Sequence, residues 1–356
     1  MRALRNAFLV TCLLGLASCS FWSSAPSVPK RVILFIGDGM GPEQIRAGAY
    51  YLGRALVFSS FPTHASIATR SADSAVTDSA AAATAIATGV KVGNGVLSRL
   101  IPGSGENLET ILEREGRDGK LTGLATTTYV THATPAAFGA HQATRTAYDG
   151  IASDYLNSSR PNILLGGGAN GLDDAEATAA GYTVVKTLTE LQNLPGSSSP
   201  RVAGLFGTGF LPYEADGGPH AASYPDLADM TTLALRLLEN AENGFFLMVE
   251  SGLIDQAAHA NNAGRMVGEV AVLDRAVSVA LAWAADKTDV LIIVTADHET
   301  GGIESVSDNG AGQVPAITWT TTGHSARDVD LYAAGYRAER LTTVNDNTQI
   351  RAAIYE

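Results

Sequence analysis

The chain has 356 residues, 46% hydrophobic and 17% charged, which is enough apolar material for one large core or two modest ones. A net charge of −12 and a pI near 5.0, with no basic stripe, exclude nucleic acid as an expected partner. Thirty-seven glycines and 7% aromatics describe a loop-rich globular protein, neither fibrous nor disordered.

The chain opens with "MRALRNAFLVTCLLGLASC", two arginines followed by an apolar run and small residues. That is a signal-peptide pattern, too short for a spanning helix. Its end, "LASC", resembles a bacterial lipobox, so residues 1–18 are expected to be removed and Cys19 lipidated. An ordinary cleavable signal that happens to contain a cysteine is the alternative. Residues 19–30 then form the lipidated cysteine and a tether, and 31–356 one domain. Ser20 after the cysteine resembles outer-membrane sorting, so a periplasmic or cell-surface lipoprotein is expected. Cleavage would also take Cys12 and leave no internal disulfide, so stability must come from the core or from bound metal.

"RVILFIGDG" (31–39) is a continuous apolar run ending in Gly-Asp-Gly, which predicts a buried strand. "GPEQIRAGAYYLGRAL" after it predicts a helix. "DSAAAATAIATG" (78–89) predicts an alanine-rich helix that opens on Asp-Ser and stops at Gly89. A helix is expected over 107–116, and strands over 121–130 and 162–168. Residues 196–224, rich in Gly, Ser and Pro, read as a surface excursion. A helix over 226–244, a strand over 244–252, a long helix over roughly 255–285 and a strand over 289–302 complete the pattern. Alternating strands and helices, with strands apolar on both faces, predict a parallel or mixed sheet covered by helices on both sides.

Open sheets of this class carry their sites at the carboxyl ends of strands. Asp38, Glu250 and the Asp297–His298 pair each close one predicted strand, and Thr134 lies just beyond another. Asp255 and His259, four apart, share one helix face, and His324 is in a predicted loop. Each feature alone has an ordinary explanation: a strand-end Asp often caps the next helix, and an i,i+4 pair is usually a solvated ion pair. Together they gather several carboxylates in one place, which demands compensating cations. Mixed imidazole and carboxylate ligands suit zinc, and all-oxygen ligands suit magnesium.

The stretch "SADSAVTDSAAAAT" (71–84) offers two Asp-Ser-Ala copies. Ser79 is the first residue of the predicted helix, where free N–H groups and the helix dipole favour an oxyanion. Ser74 precedes no helix start and reads as a turn. A plain helix cap is the ordinary reading of Ser79. No histidine lies near it in sequence to act as a base, so a metal is the expected activator. His64 and His220 read as loop residues and His141 as a helix residue away from the cluster.

"ILFIGDGMG", "VTDSAAAATAIATGVKVGNG", "THATPAAFGAH..TR", "FFLMVESGLIDQAAHANN", "IVTADHETGG" and "TGHSARDVDLYAAG" resemble the ordered motifs of the alkaline phosphatases, over about residues 31–335. The resemblance implies a three-layer α/β/α sandwich around a mainly parallel sheet. It implies hydrolysis of phosphate monoesters through a covalent phosphoserine, with two zinc ions and one magnesium. Carried over, Asp255, His259 and His324 would hold the first zinc. Asp38, Asp297, His298 and Ser79 would hold the second. Asp38 would also reach the magnesium, with Thr134 and Glu250. Arg145 would bind phosphate, oriented by Asp78, with His132 beside the substrate. A homodimer is a further expectation, since family members are commonly dimers.

Two positions depart from the best-studied bacterial member, which has Asp at His132 and Lys at Gln256. A sulfatase would need a C/S-x-P-S-R run, which is absent, and a cofactor-independent phosphoglycerate mutase would need an inserted domain for which there is no room. A phosphodiesterase of the same superfamily and a non-catalytic metal- or phosphate-binding lipoprotein remain as alternatives.

Overall fold

The computed structural model describes residues 28–196 and 200–356; Cys19, with the signal and most of the tether, lies outside the described residues. Val32 to Ile36 and Phe245 to Val249 are each fully buried, as continuous apolar runs require when both faces of a sheet are covered. In chain order the strands are β1 (Arg31–Gly37), β2 (Thr63–Ile67), β3 (Leu121–Tyr129), β4 (Ile163–Gly167), β5 (Thr183–Val185), β6 (Val202–Phe206) and β7 (Phe245–Ser251). They continue with β8 (Val290–Thr295), β9 (Glu299–Thr300), β10 (Ser305–Ser307), β11 (Ala316–Thr318), β12 (His324–Ser325) and β13 (Val329–Gly335).

Nine of these form one sheet in the order β2-β13-β8-β1-β7-β3-β4-β6-β5. From β8 to β5 every pairing is parallel, and β13 runs antiparallel to both β8 and β2. Helices Pro42–Leu52, Leu227–Leu238, Leu253–His259 and Ala263–Ala284 pack on one another, and the layer covers one face. Helices Ser79–Thr88, Ile111–Arg117, Ala133–Gly139 and Gln349–Tyr355 form the opposite layer. The expected three-layer α/β/α sandwich is therefore what the chain forms, and its parallel centre aims the carboxyl ends of β1, β3, β7 and β8 at one rim.

Several local expectations need correction. Residues 196–224 are not only a surface excursion. They contain β6, which is buried and pairs with both β4 and β5. The five residues "VAGLF" are too short a run to stand out against the Gly, Ser and Pro around them. The long helix over 255–285 is two helices. Asn261 adopts a left-handed φ of 49°, and the Asn262 side chain accepts from Arg265 N to start a second helix. The helix expected from 107 begins at Ile111, because Thr110 and Glu113 form a capping box there. His64 sits on β2, His220 in a 3-10 turn, and His324 on β12 paired with β9. His141 follows a helix and does not lie on one. Its ring bridges the Ser98 carbonyl and Glu113.

Candidate active site

Ser79 is the first residue of its helix, as expected, and Asp78 is the N-cap. Asp78 Oδ1 accepts from Ala81 N and Gly95 N, both at 3.0 Å, and Oδ2 accepts from Arg145 Nη1 at 2.9 Å. One carboxylate thus caps the serine helix and fixes the guanidinium beside it. Burial works against the charge of Arg145, and Asp78 more than offsets it, so its pKa is raised. Ser74 lies in a turn whose hydroxyl accepts from Val76 N.

Three donor groups converge around this helix start. Asp255, His259 and His324 form one, Asp38, Asp297 and His298 a second, and Asp38, His132 and Glu250 a third; within each, the ligand atoms lie within 4.8 Å of one another. Asp38 belongs to two groups. Thr134, on the first turn of the helix after His132, has a fully buried side chain. His132 therefore adds an imidazole to the group that otherwise offers only oxygens.

The fit to metal is testable from polar atoms left without partners. Asp38 Oδ1 and Oδ2, Asp297 Oδ2, Glu250 Oε1, Thr134 Oγ1 and His132 Nδ1 are all buried and make no hydrogen bond. Buried orphans of this kind cost about 1–3 kcal/mol each, more when charged, and cations remove that cost. Burial and the nearby carboxylates Asp297, Asp255 and Glu250 push Asp38 well above the usual range. Burial likewise raises Glu250 to about 7 and Asp297 to about 6.

The histidines fit as well. His259 Nδ1 donates to the Thr322 carbonyl at 2.5 Å and His324 Nδ1 to the Thr77 carbonyl at 2.8 Å. Their Nε2 atoms then face each other at 3.2 Å as two lone pairs, an arrangement that needs a cation or a shared proton between them. Without metal the proton goes to His259, whose hydrogen bond to Asp255 raises its pKa to about 9. Burial opposes ionisation of Asp255, but His259 and the other imidazoles overcome it and lower its pKa. Gln256 Nε2 donates to Asp255 Oδ2 at 3.0 Å.

The motif resemblance groups His298 with Ser79, and the two side chains do lie together. His298 Nε2 lies 3.2 Å from Ser79 Oγ across 219 positions of chain, so a histidine does adjoin the serine. Thr300 Oγ1 donates to Asp255 Oδ1 at 2.5 Å and sits 3.2 Å from His298 Nδ1. Its own proton is spent on Asp255, so it accepts from His298 Nδ1–H, which leaves Nε2 as a lone pair toward Ser79. Burial, then the neighbouring His324, keeps His298 far below its usual pKa.

Sequence reasoning missed Thr300, and also Thr126 and Thr128, whose hydroxyls both reach Glu250 Oε2. A threonine run on a strand buried on both faces was the available signal, since hydroxyls there must find partners. It missed Glu299 too. That buried carboxylate accepts from Gln44 Nε2, Gly302 N, Ile303 N and Ser325 Oγ, tying the loop after β8 to β12.

A family model described as alkaline phosphatase matches residues 29–316. Alkaline phosphatase 3 of Bacillus subtilis (strain 168) is 34% identical over 308 residues, 78% of this chain and 63% of its own. The chain thus spans less than two thirds of that relative's length. Streptomycin-6-phosphate phosphatase of Streptomyces griseus is 33% identical over 427 residues, covering 98% of this chain and 94% of its own. The structure of alkaline phosphatase from the Antarctic bacterium TAB5 superposes with a TM-score of 0.82 at 30% identity, covering 92% of this chain and 97% of that one. A histidine mutant of the TAB5 enzyme, with Mg bound in its M3 site, gives 0.80 at 28% identity, covering 92% and 97%. Motif order, donor geometry and these matches agree: the chain belongs to the alkaline phosphatase family.

Proposed function

We propose that the protein is an exported, metal-dependent phosphomonoesterase with Ser79 as nucleophile. The observation that carries this reading is the Ser79 hydroxyl at a helix N-terminus, amid buried carboxylate oxygens that no protein donor satisfies. Asp255, His259 and His324 would hold one zinc. Asp38, Asp297 and His298, with Ser79, would hold a second. Asp38, Thr134 and Glu250, with His132 alongside, would hold magnesium. When bound, the metals supply Lewis-acid stabilisation of charge on the attacking and departing oxygens.

The chain's own residues do the rest. Arg145, held by Asp78, presents its planar fork to two equatorial phosphate oxygens. The free N–H groups of the Ser79 helix add positive potential at the same place. Ser79 Oγ forms a bond to phosphorus as the ester P–O bond breaks and the alcohol leaves with a proton. Water then cleaves the phosphoserine, releasing phosphate and restoring the hydroxyl. Thr300 orients His298, so that its Nε2 faces the place beside Ser79 Oγ where the second zinc would be held. Cys19 would carry the lipid that tethers residues 31–356 to the membrane outside the cytoplasm, and a homodimer is the proposed assembly.

Exhaustive chelation should abolish turnover of an aryl phosphate, and zinc with magnesium should restore it. Ser79→Ala should lose the covalent route while Ser74→Ala stays within about twofold, since the latter touches only a turn. Unchanged turnover after chelation, or after Ser79→Ala, overturns the reading.

A further inference from the structure

We infer that Phe210, Tyr129 and Tyr148 form a wall that binds the alcohol portion of the substrate and selects monoesters with a planar, aromatic leaving group. This rests on the phosphatase reading above.

Phe210 is one of three large hydrophobic residues exposed among the described residues, at 42% of its surface. A single exposed apolar residue needs no explanation. This one does, because it is the outer end of a continuous aromatic cluster. Its ring stacks on Tyr129 with centroids 5.4 Å apart and planes 5° from parallel. Both rings stand nearly perpendicular to His132, at 84° for Phe210 and 88° for Tyr129. Tyr129 meets Tyr148 edge-on at 5.7 Å, and their hydroxyls lie 3.1 Å apart. The inner end of the cluster, His132 Nε2, is 3.3 Å from Arg145 Nη2. The wall thus runs without a break from the phosphate-binding arginine to solvent.

The exposed ring is also held in place. It lies in the loop at the carboxyl end of β6, on the rim that carries the site. The next residue, Leu211, donates its N–H to the Thr127 carbonyl of β3 at 2.9 Å. The Gly209 carbonyl oxygen would be only 1.7 Å from a Cβ on Gly167, so only glycine at the end of β4 admits this loop position. The loop is fixed on both sides, yet it leaves one face of the phenyl ring in water, where it adds nothing to the stacking on Tyr129. A ligand face explains it.

The chemistry of that face is restrictive. The two tyrosine hydroxyls are directed at each other, so the wall presents mainly ring surface. Ring surface favours offset stacking or edge contact with a planar group, and offers no hydrogen-bond partner to a short, flexible alcohol such as glycerol. With Arg145 on two equatorial oxygens, the ester oxygen lies opposite Ser79, and an aryl group that extends from it past Arg145 and His132 can lie along this wall.

The test uses the metal-loaded protein and two non-hydrolysable probes, phenylphosphonate and methylphosphonate, measured by calorimetry or as competitive inhibitors. Phe210→Ala should lower the ratio of phenyl to methyl affinity about two- to tenfold, and Phe210→Tyr should restore it. The ratio of kcat/KM for phenyl phosphate over glycerol phosphate should fall in parallel. Val314→Ala, equally exposed but outside the cluster, should leave both ratios where they were. Equal losses for both phosphonates, or no change in the ratio, overturn the wall. Wild-type protein that binds neither phosphonate and hydrolyses neither ester overturns the phosphatase reading itself, a result distinct from an unchanged ratio.

Discussion

Asp38, Asp297 and His298 at the sheet rim, and His220, Asp226 and Asp229 at the start of helix Leu227–Leu238, are two groups of the same composition. In both, the donor atoms lie within 4.8 Å of one another. Around the helix start the oxygens are occupied. Asp226 Oδ1 accepts from Asp229 N at 2.8 Å, its Oδ2 takes Arg275 at 3.2 Å, and Asp229 Oδ2 takes both Asp226 N and His220. At the rim, neither oxygen of Asp38 accepts a hydrogen bond, and the nearest imidazole nitrogen, His298 Nε2, is 3.5 Å from Oδ1. One group is a helix cap with its own cation, supplied by Arg275. The other buries carboxylates that no hydrogen-bond donor satisfies, an arrangement that cations would compensate. Residue types and spacing do not separate a site from a cap; the unsatisfied, water-excluded atoms do.

The largest effect that would sharpen this contrast comes from Asp38→Asn. The change keeps the volume but removes the carboxylate shared by two donor groups, so turnover should fall by on the order of a thousandfold or more. Zinc and magnesium content, read by elemental analysis, should fall with it. Stability should move the other way in the metal-free protein. Above pH 7 one of four clustered carboxylates is gone, so the chelated variant should unfold at a higher temperature than chelated wild type. A variant that keeps its full metal content would break the comparison.

The contrast also explains what was legible in the sequence. Strand-closing acids such as Asp38 and Glu250, and the helix opening at Ser79, follow from local pattern, because an apolar run and a cap both announce themselves within a few residues. Family motifs tied the distant pieces together. What stayed hidden was the outer hydrogen bonding: Thr300 joins Asp255 to His298 because β9 packs against helix Leu253–His259, a contact no local pattern announces. β6 was lost for the opposite reason, a short buried strand amid turn-forming residues. The 255–285 helix was overextended because a break set by one left-handed asparagine leaves its apolar periodicity intact.

Thr300→Val comes next in size. Thr300 Oγ1 bonds both a residue of the first donor group, Asp255, and a residue of the second, His298. Valine keeps its shape, leaves His298 Nδ1–H without an acceptor and frees Asp255 Oδ1. Losing such an outer partner typically costs 10- to 100-fold in metal affinity, and competition against a chelator should show it. Thr300→Ser should recover most of that loss. A valine variant with wild-type zinc retention would show that the hydroxyl positions nothing.

Smaller still is the dependence of stability on pH. In metal-free protein His259 is raised to about 9 by Asp255, so the folded state keeps a proton that the unfolded chain releases near 6.5. That stabilisation is complete below pH 6.5 and is lost as pH climbs toward 9. Glu250, raised to about 7 by burial, adds loss in the same direction up to that pH. The buried imidazoles His132, lowered to about 3, and His298 act oppositely, but only below 6.5. His220, raised by Asp229, adds a decline that metal cannot alter. The unfolding temperature of chelated protein should therefore fall more steeply between pH 6.5 and 9 than that of loaded protein. Equal slopes would mean that the rim carboxylates and imidazoles do not need cations.

The smallest effect belongs to the group built as a cap. Asp226→Ala removes the N-cap of helix Leu227–Leu238 and one partner of Arg275, while Glu214 still holds that arginine at 3.0 Å. The loss should be about 1 kcal/mol, the usual worth of an N-cap, and visible as a shift in denaturant midpoint. Metal content and turnover should not change, because the three rim groups share no residue with this helix. If Asp226→Ala instead released metal, occupied oxygens and orphaned ones would be equivalent as ligands. The distinction between cap and site would then have to rest on something other than satisfied bonds.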